Sequence, residues 1–508
     1  MFEQVALIIL DGWGQRSEPI GNALKCVPTP HLDAIMRAYP HALLKCSGEA
    51  VGLAPGQMGD SNVGHLNIGA GRVVFQDLVR ITKALDDGYL EKSPVWQGLV
   101  EGAVARNSRL HLFGLLSDGG VHSHISHLKS ILAQCAKDHL EVYLHLQLDG
   151  RDVAPSSGAG FLQDIEAYIN ELGTGVIATV MGRYYGMDRD QRWERTARAY
   201  HALVSGEGQV VDIASSAVVE HYQQGTTDEF ILPLVLRAAQ PHARLQDGDA
   251  ILFFNFRADR MRQITQALGS DAEVGFPRSS RPRVRVATFT RYHEAFEFPY
   301  LFAPQDLSGT LGEVVSEAGL RQLRMAETEK YVHVSFFLNG GSDKAFVGEE
   351  RLLIPSPKVA TYDLKPSMSA HELTASFIEK SRAGYNLLVL NYANLDMVGH
   401  TGVFDAACQA VAVIDSCVGQ VIEVLLAQGS AVVLTADHGN AEQMLDDHSD
   451  VYTAHTLNDV ACVVITPQKS LSLRNNGILA DIAPTVLQLL GLKQPQVMTG
   501  RSLITGGM

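Results

Sequence analysis

The sequence predicts an α/β protein of two domains, one inserted into the other, and three observations carry that prediction. Apolar runs of strand length recur along the chain, and each stops at a polar cluster. Stretches of helical period separate these runs, as at 405–428, where Gly429 supplies a C-terminal stop. The clusters also change chemistry with position. Acids and histidines lie near the N-terminus and again after Asp396, while arginines lie between.

Taken in order, residues 5–10 run into Asp11-Gly-Trp-Gly, and residues 56–69 form a glycine-rich segment around Ser61. Residues 110–117 lead to Asp118-Gly-Gly-Val-His122-Ser-His124, and 142–148 lead to Asp149-Gly-Arg151-Asp152. Residues 176–181 precede Arg183 and Arg189, and 251–256 precede Arg257-Ala-Asp-Arg260. A helix capped by Ser156 or Ser157 is expected between two of these strands. Finally, 386–390 run toward Asp396 and His400, and 431–434 run into Asp437-His438-Gly439. Strand, helix and strand at such lengths read as crossover units of a buried parallel sheet, whose ligands bind beyond the carboxyl ends of the strands. The simplest arrangement is a discontinuous domain of residues 1–76 and 310–508 with residues 77–309 inserted.

Bulk properties narrow the classes. A chain of 508 residues exceeds one ordinary core, and 46% apolar with 19% charged residues argues for a folded globular protein. A formal charge of −15 argues against general nucleic-acid binding. Residues 1–10 lack a basic leader pattern, and no stretch reads as long and apolar enough to span a bilayer, so a cytoplasmic location is expected. The six cysteines are scattered and read as free thiols in a reducing compartment.

Asp11, Asp396, His400, Asp437, His438 and His455 together favour a metal site, although any one of them alone reads as an ordinary polar residue. Carboxylate plus neutral imidazole suits manganese, zinc or a similar divalent ion. Two ions fit the ligand count better than one. Ser61 reads equally as a helix N-cap or as a nucleophile, and a serine at neutral pH needs a base or a metal to activate it. The cluster at His122, His124 and His127 lacks accompanying carboxylates and is not read as a further metal site. Arg192 and Arg195 read as surface residues.

The strings LIILDGWG, GQMGDSNVGHLNIGAGR, SDGGVHSH, LDGRD, FNFRADR, NLDMVGHTG and TADHGNAE resemble, in order and over nearly the whole chain, those of the cofactor-independent phosphoglycerate mutases, a family of the alkaline phosphatase superfamily. The resemblance implies an alkaline-phosphatase-like domain with an inserted substrate-binding domain. It makes Ser61 the phosphorylated nucleophile. Asp11, Ser61, Asp437 and His438 would hold one metal ion, and Asp396, His400 and His455 the other. Manganese is expected, with magnesium or cobalt as alternatives. His122, Arg151, Arg183, Arg189, Arg257 and Arg260 would bind substrate, Asp152 would act as general acid and base, and Lys330 would lie beside the phosphoserine. The implied reaction interconverts 3-phosphoglycerate and 2-phosphoglycerate in glycolysis and gluconeogenesis without 2,3-bisphosphoglycerate. A monomer that closes its two domains to exclude water is expected, with no membrane or nucleic-acid partner. The rival readings are another metal-dependent phosphomonoesterase or phosphomutase, and a non-catalytic sugar-phosphate sensor.

Overall fold

The computed structural model describes residues 1–506 apart from 241, 279, 447, 469 and 470. The chain divides into two compact units, Met1–Gln76 with Asp306–Met508, and Asp77–Gln305. The second division falls at 305/306, against 309/310 from the sequence.

The first unit is built on an eight-stranded sheet. Its centre is Val5–Leu10, fully buried along its length and paired in parallel with Leu387–Tyr392 on one side and Ala431–Thr435 on the other. An unbroken run such as Val-Ala-Leu-Ile-Ile-Leu suits a strand covered on both faces, where no position needs to meet water. Gln322–Glu327 and Glu349–Ile354 extend the parallel part, while Val460–Ile465 runs antiparallel between Ala431–Thr435 and His41–Lys45. The carboxyl ends of the central strands therefore open at one edge, where Asp11 and Asp437 follow directly.

The helix Phe404–Ala427 lies within a residue of its expected start and end, with Gly429 at φ 79° just beyond it. By length and composition it could cross a membrane, with a mean hydropathy of 1.9, so the reading that no stretch is apolar enough is corrected. Its apolar face, including Val411, Ile414, Val418 and Leu425, packs in the core of the first unit.

The second unit has its own eight-stranded sheet, in the order Tyr300–Phe302, Arg285–Thr290, Ala250–Phe253, Leu110–Leu116, Val142–Leu148, Val176–Gly182, Leu234–Leu236 and Gln209–Val211. All neighbours are parallel except Val176–Gly182 with Leu234–Leu236. This matches the predicted α/β class. The helix Gly158–Leu172 begins after Ser157, but neither predicted serine side chain caps it. Asp228 does so instead, its Oδ2 accepting from the backbone N–H groups of Ser157 (3.0 Å) and Gly158 (2.8 Å). A carboxylate satisfies two orphan donors and complements the positive end of the helix better than a hydroxyl.

The cysteine reading also needs correction. Cys26 and Cys408 form a disulfide, with Cα atoms 6.0 Å apart across 382 residues of sequence. Cys46, Cys135, Cys417 and Cys462 are buried free thiols.

Candidate active site

In the first unit, Ser61 is the first residue of the helix Ser61–Ala70, and the cap is Asp60, whose side chain accepts from Val63 N. The N-cap reading of Ser61 is therefore displaced by one residue, and its hydroxyl is free for other partners. Ser61 Oγ lies 3.1 Å from Asp11 Oδ1, 2.9 Å from His438 Nε2 and 2.6 Å from Lys330 Nζ. His438 Nε2 is 3.3 Å from Asp11 Oδ1 and 3.6 Å from Asp437 Oδ2. Close backbone approach makes this assembly possible. A Cβ on Gly64 would fall 2.7 Å from Asp437 Cβ, and one on Gly12, at φ +80°, would fall 2.8 Å from Asp396 N.

A second focus adjoins the first. Asp396 Oδ1 lies 3.1 Å from His400 Nε2 and 3.2 Å from His455 Nε2, and the two nitrogens are 3.0 Å apart. Each ring turns its Nδ1 to a backbone carbonyl, Thr453 O at 2.7 Å and Gly59 O at 2.9 Å. A neutral imidazole that donates from Nδ1 has only a lone pair at Nε2. Three lone-pair atoms thus converge, which is the donor set a divalent cation requires. In the first focus, Asp437 Oδ2 is buried without a hydrogen-bond partner. His65 Nδ1 comes within 3.1 Å of it but is also 2.9 Å from Ser61 O. Asp11, Asp437 and His438, and likewise Asp396, His438 and His455, bring their ligand atoms within 4.8 Å of one another. The two triads share His438, and their donor atoms fit a divalent cation.

Lys330 joins the two foci. Its Nζ donates to Asp11 Oδ1 (2.7 Å) and Asp396 Oδ2 (2.6 Å), and the residue is buried. Burial pulls its pKa down, but Asp11, Asp396 and Asp437 outweigh that and hold it above the usual lysine range. Burial raises the Asp11 and Asp396 carboxyls, yet Lys330 and the histidines bring both well below the ordinary value. His438, despite burial, is pushed up to about 10 by Asp437, Asp11 and Asp396.

The second unit holds the cationic set. Arg183, buried at the end of Val176–Gly182, places Nη1 2.6 Å from both Asp149 Oδ1 and Asp152 Oδ2. Asp149 also accepts from Ser117 Oγ (2.7 Å) and from the backbone N–H groups of Arg151 and Asp152. Asp259 accepts from Arg257 Nε (3.0 Å) and Arg189 Nη1 (2.7 Å). His122 sits 3.9 Å from both Asp152 and Asp259, too far for hydrogen bonds. Burial and Arg183 lower its pKa to about 4. Arg260 donates to Met187 O, and Arg151 pairs loosely with Glu229 at 3.5 Å. Elsewhere in the unit, His124 caps the helix Ile125–Lys137 and His127 Nε2 lies 2.8 Å from Thr82 Oγ1. Arg195 is not a plain surface residue, since it stacks 3.7 Å over Tyr184 and pairs with Asp188.

A family model described as the BPG-independent PGAM N-terminus matches residues 81–294. The 2,3-bisphosphoglycerate-independent phosphoglycerate mutase of Clostridium tetani is 51% identical over 509 residues, covering 99% of each chain. That of Symbiobacterium thermophilum is 50% identical over 98% of this chain and 97% of its own. The chain belongs to the 2,3-bisphosphoglycerate-independent phosphoglycerate mutase family. A solved structure, that of Leishmania mexicana phosphoglycerate mutase at low cobalt concentration, superposes with a TM-score of 0.58 at 30% identity, over 99% of this chain and 98% of that one. Membership makes this chain an isomerase.

Several residues that brace the family's signature strings escaped the sequence reading. Asn391 Nδ2 donates to Asp11 Oδ2 (2.9 Å) and lies 3.0 Å from His65 Nε2. Asn440 Nδ2 donates to Asp396 Oδ1 at 3.1 Å, while Glu442 receives the backbone N–H groups of Gly14 and Asn440. His65, Asn440 and Glu442 stand within GQMGDSNVGHLNIGAGR and TADHGNAE, and that placement is their only signal in the sequence.

Proposed function

We propose that this isomerase interconverts 3-phosphoglycerate and 2-phosphoglycerate in glycolysis and gluconeogenesis by holding the phosphoryl group transiently on Ser61. The observation that carries the assignment is the position of Ser61 Oγ, at a helix N-terminus and within 3.1 Å of Asp11, His438 and Lys330. In this reading Asp11, Ser61, Asp437 and His438 hold one divalent ion, and Asp396, His400 and His455 the other. Manganese is the preferred ion, with magnesium or cobalt as alternatives. When bound, the ions supply a lowered serine pKa and offset the charge of the transferring group.

The chain's own groups perform the rest. The Lys330 ammonium and the N-terminus of Ser61–Ala70 offer positive charge to a phosphoryl group at Oγ. Arg183, Arg189, Arg257, Arg260 and Arg151, with His122, hold the carboxylate and phosphate of the substrate. Asp152 gives a proton to the substrate oxygen that departs as the phosphoryl group passes to Ser61, and takes one back from the hydroxyl that then attacks the phosphoserine, so the product leaves with its phosphate moved and Asp152 restored. The protein acts as a cytoplasmic monomer in this reading, without nucleic-acid or membrane partners.

The test is a coupled assay of 3-phosphoglycerate conversion with manganese and without 2,3-bisphosphoglycerate. Wild type should turn over and form a phosphoryl adduct on Ser61, and Ser61→Ala should lose both. Conversion by the alanine variant, or release of inorganic phosphate as the main product, would overturn the reading.

A further inference from the structure

The Cys26–Cys408 pair ties the stretch of chain that follows Asp11 to the helix that follows Asp396 and His400. Cys26 ends a short turn of helix, Ala23–Lys25, and is exposed to solvent, while Cys408 lies on the helix Phe404–Ala427 with 9% exposure. The Cα separation of 6.0 Å falls within the range that a disulfide spans without backbone movement. The other four cysteines are buried and at a disadvantage in reactivity, since burial disfavours their thiolates.

Seven residues further along the same helix is a second, non-covalent tie. Asp415 accepts from the backbone N–H groups of His31 (3.3 Å) and Leu32 (2.8 Å) and lies 2.9 Å from His31 Nδ1. Seven residues are two helical turns, so both attachments fall on one face. A cavity of about 170 Å³ lies alongside, lined by Trp13, Leu24, Leu32, Leu395, Val411 and Ile414. The tied stretch reaches the site on its other side: Gly12 O accepts from Asn440 N and Ala441 N, Ala441 O from Ala23 N, and Gly21 O from Met444 N.

We propose that Cys26–Cys408 is a site of reversible thiol–disulfide exchange with small thiols of the glutathione class, and that its redox state sets how firmly residues 12–33 are held to the helix Phe404–Ala427. A small thiolate attacks the sulfur of Cys26, the more exposed of the two residues, forming a mixed disulfide and releasing Cys408 as a thiolate that takes up a proton. A second small thiolate attacks the mixed disulfide and releases Cys26. Two small thiols become one small disulfide, and the protein gains two thiols, two electrons and two protons.

The experiment equilibrates the full chain in buffers of graded reduced-to-oxidised glutathione ratio, quenches in acid, alkylates, and maps the labelled cysteines by mass. Cys26 and Cys408 should change together within the graded series while the other four stay constant. The oxidised form should melt on the order of 5 °C above the reduced one and resist proteolysis between residues 15 and 30. In Cys26→Ser the melting temperature should be indifferent to redox buffer. If that variant does not fold, the wild-type titration decides alone. Labelling of both cysteines at every ratio, or a bond that the folded protein keeps at every ratio, overturns the exchange. Identical melting and proteolysis of the two forms overturns the proposed control of the segment.

Discussion

His400 and His455 face each other with their Nε2 atoms 3.0 Å apart, and Asp396 Oδ1 lies within 3.2 Å of both. With each Nδ1 committed to a carbonyl, a cation must stand among these three atoms, and a proton or a metal ion can serve. Asp396 holds the His400 pKa above its ordinary value, and His438 is pushed up to about 10, so protons compete strongly. Acidification loads protons and weakens metal binding. The apparent dissociation constant for manganese should rise about tenfold or more between pH 8 and pH 6. Calorimetric titration checks it, and an affinity that stays constant across that range would refute the competition. His400→Ala should remove one ion from the metal analysis and leave the fold intact.

Lys330 supplies the positive charge that Asp11 and Asp396 share. Lys330→Met leaves two buried carboxylates without it, which should destabilise the metal-free protein by about 3–5 kcal/mol. Manganese should restore most of that loss, because cations at the same carboxylates replace the ammonium. Melting curves in chelator and in manganese measure both effects. Turnover should stay low even with the metal, since the variant lacks the donor 2.6 Å from Ser61 Oγ. A variant that melts like wild type in chelator would contradict the account.

Arg183 bridges Asp149 and Asp152 through one Nη1 at 2.6 Å. A lysine keeps the charge but not the planar fork that could serve these acids and an incoming anion together. Arg183→Lys should lower kcat/KM about 10- to 100-fold, a loss of roughly 1.4–2.7 kcal/mol at the transition state. Asp149 keeps Ser117 and two backbone donors, so the melting temperature should fall only slightly. Steady-state kinetics decide, and an unchanged kcat/KM would remove Arg183 from the substrate set.

Local pattern reports strand, helix and face, and much of the site was legible for that reason. Asp11 and Asp437 stand where buried parallel strands must end, and Asp396 and His400 share one helical turn. Partners far away in sequence leave no local trace. Nothing near Asn391 announces that it will hold Asp11, 380 residues away, and nothing near Cys26 points to Cys408. Asp228 displaced the expected serine cap from a position 70 residues beyond it. The helix Phe404–Ala427 shows a further limit, because an apolar core helix and a membrane span have the same composition.

Glu327 offers a test of stability that is independent of the metal site. Its carboxylate is fully buried at the end of Gln322–Glu327, accepting from Ser369 N (3.0 Å) and Ser356 Oγ (3.1 Å), with no cation bonded to it among the described residues. Burial raises its pKa to about 7, against 4.5 for an ordinary glutamate. A raised acid favours the fold in its protonated form. Below pH 4.5 both folded and unfolded states hold the proton, and the contribution is complete. Between pH 4.5 and 7 the unfolded chain releases its proton first, so stability declines, and above pH 7 the loss levels off at about 3 kcal/mol. Glu327→Gln cannot ionise, yet its amide oxygen can still accept from Ser369 N and its amide nitrogen can donate to the Ser356 hydroxyl. The variant should therefore melt above wild type at pH 8 and close to it at pH 4.5. Parallel melting-temperature profiles for the two proteins across this range would show that Glu327 does not titrate as its burial requires.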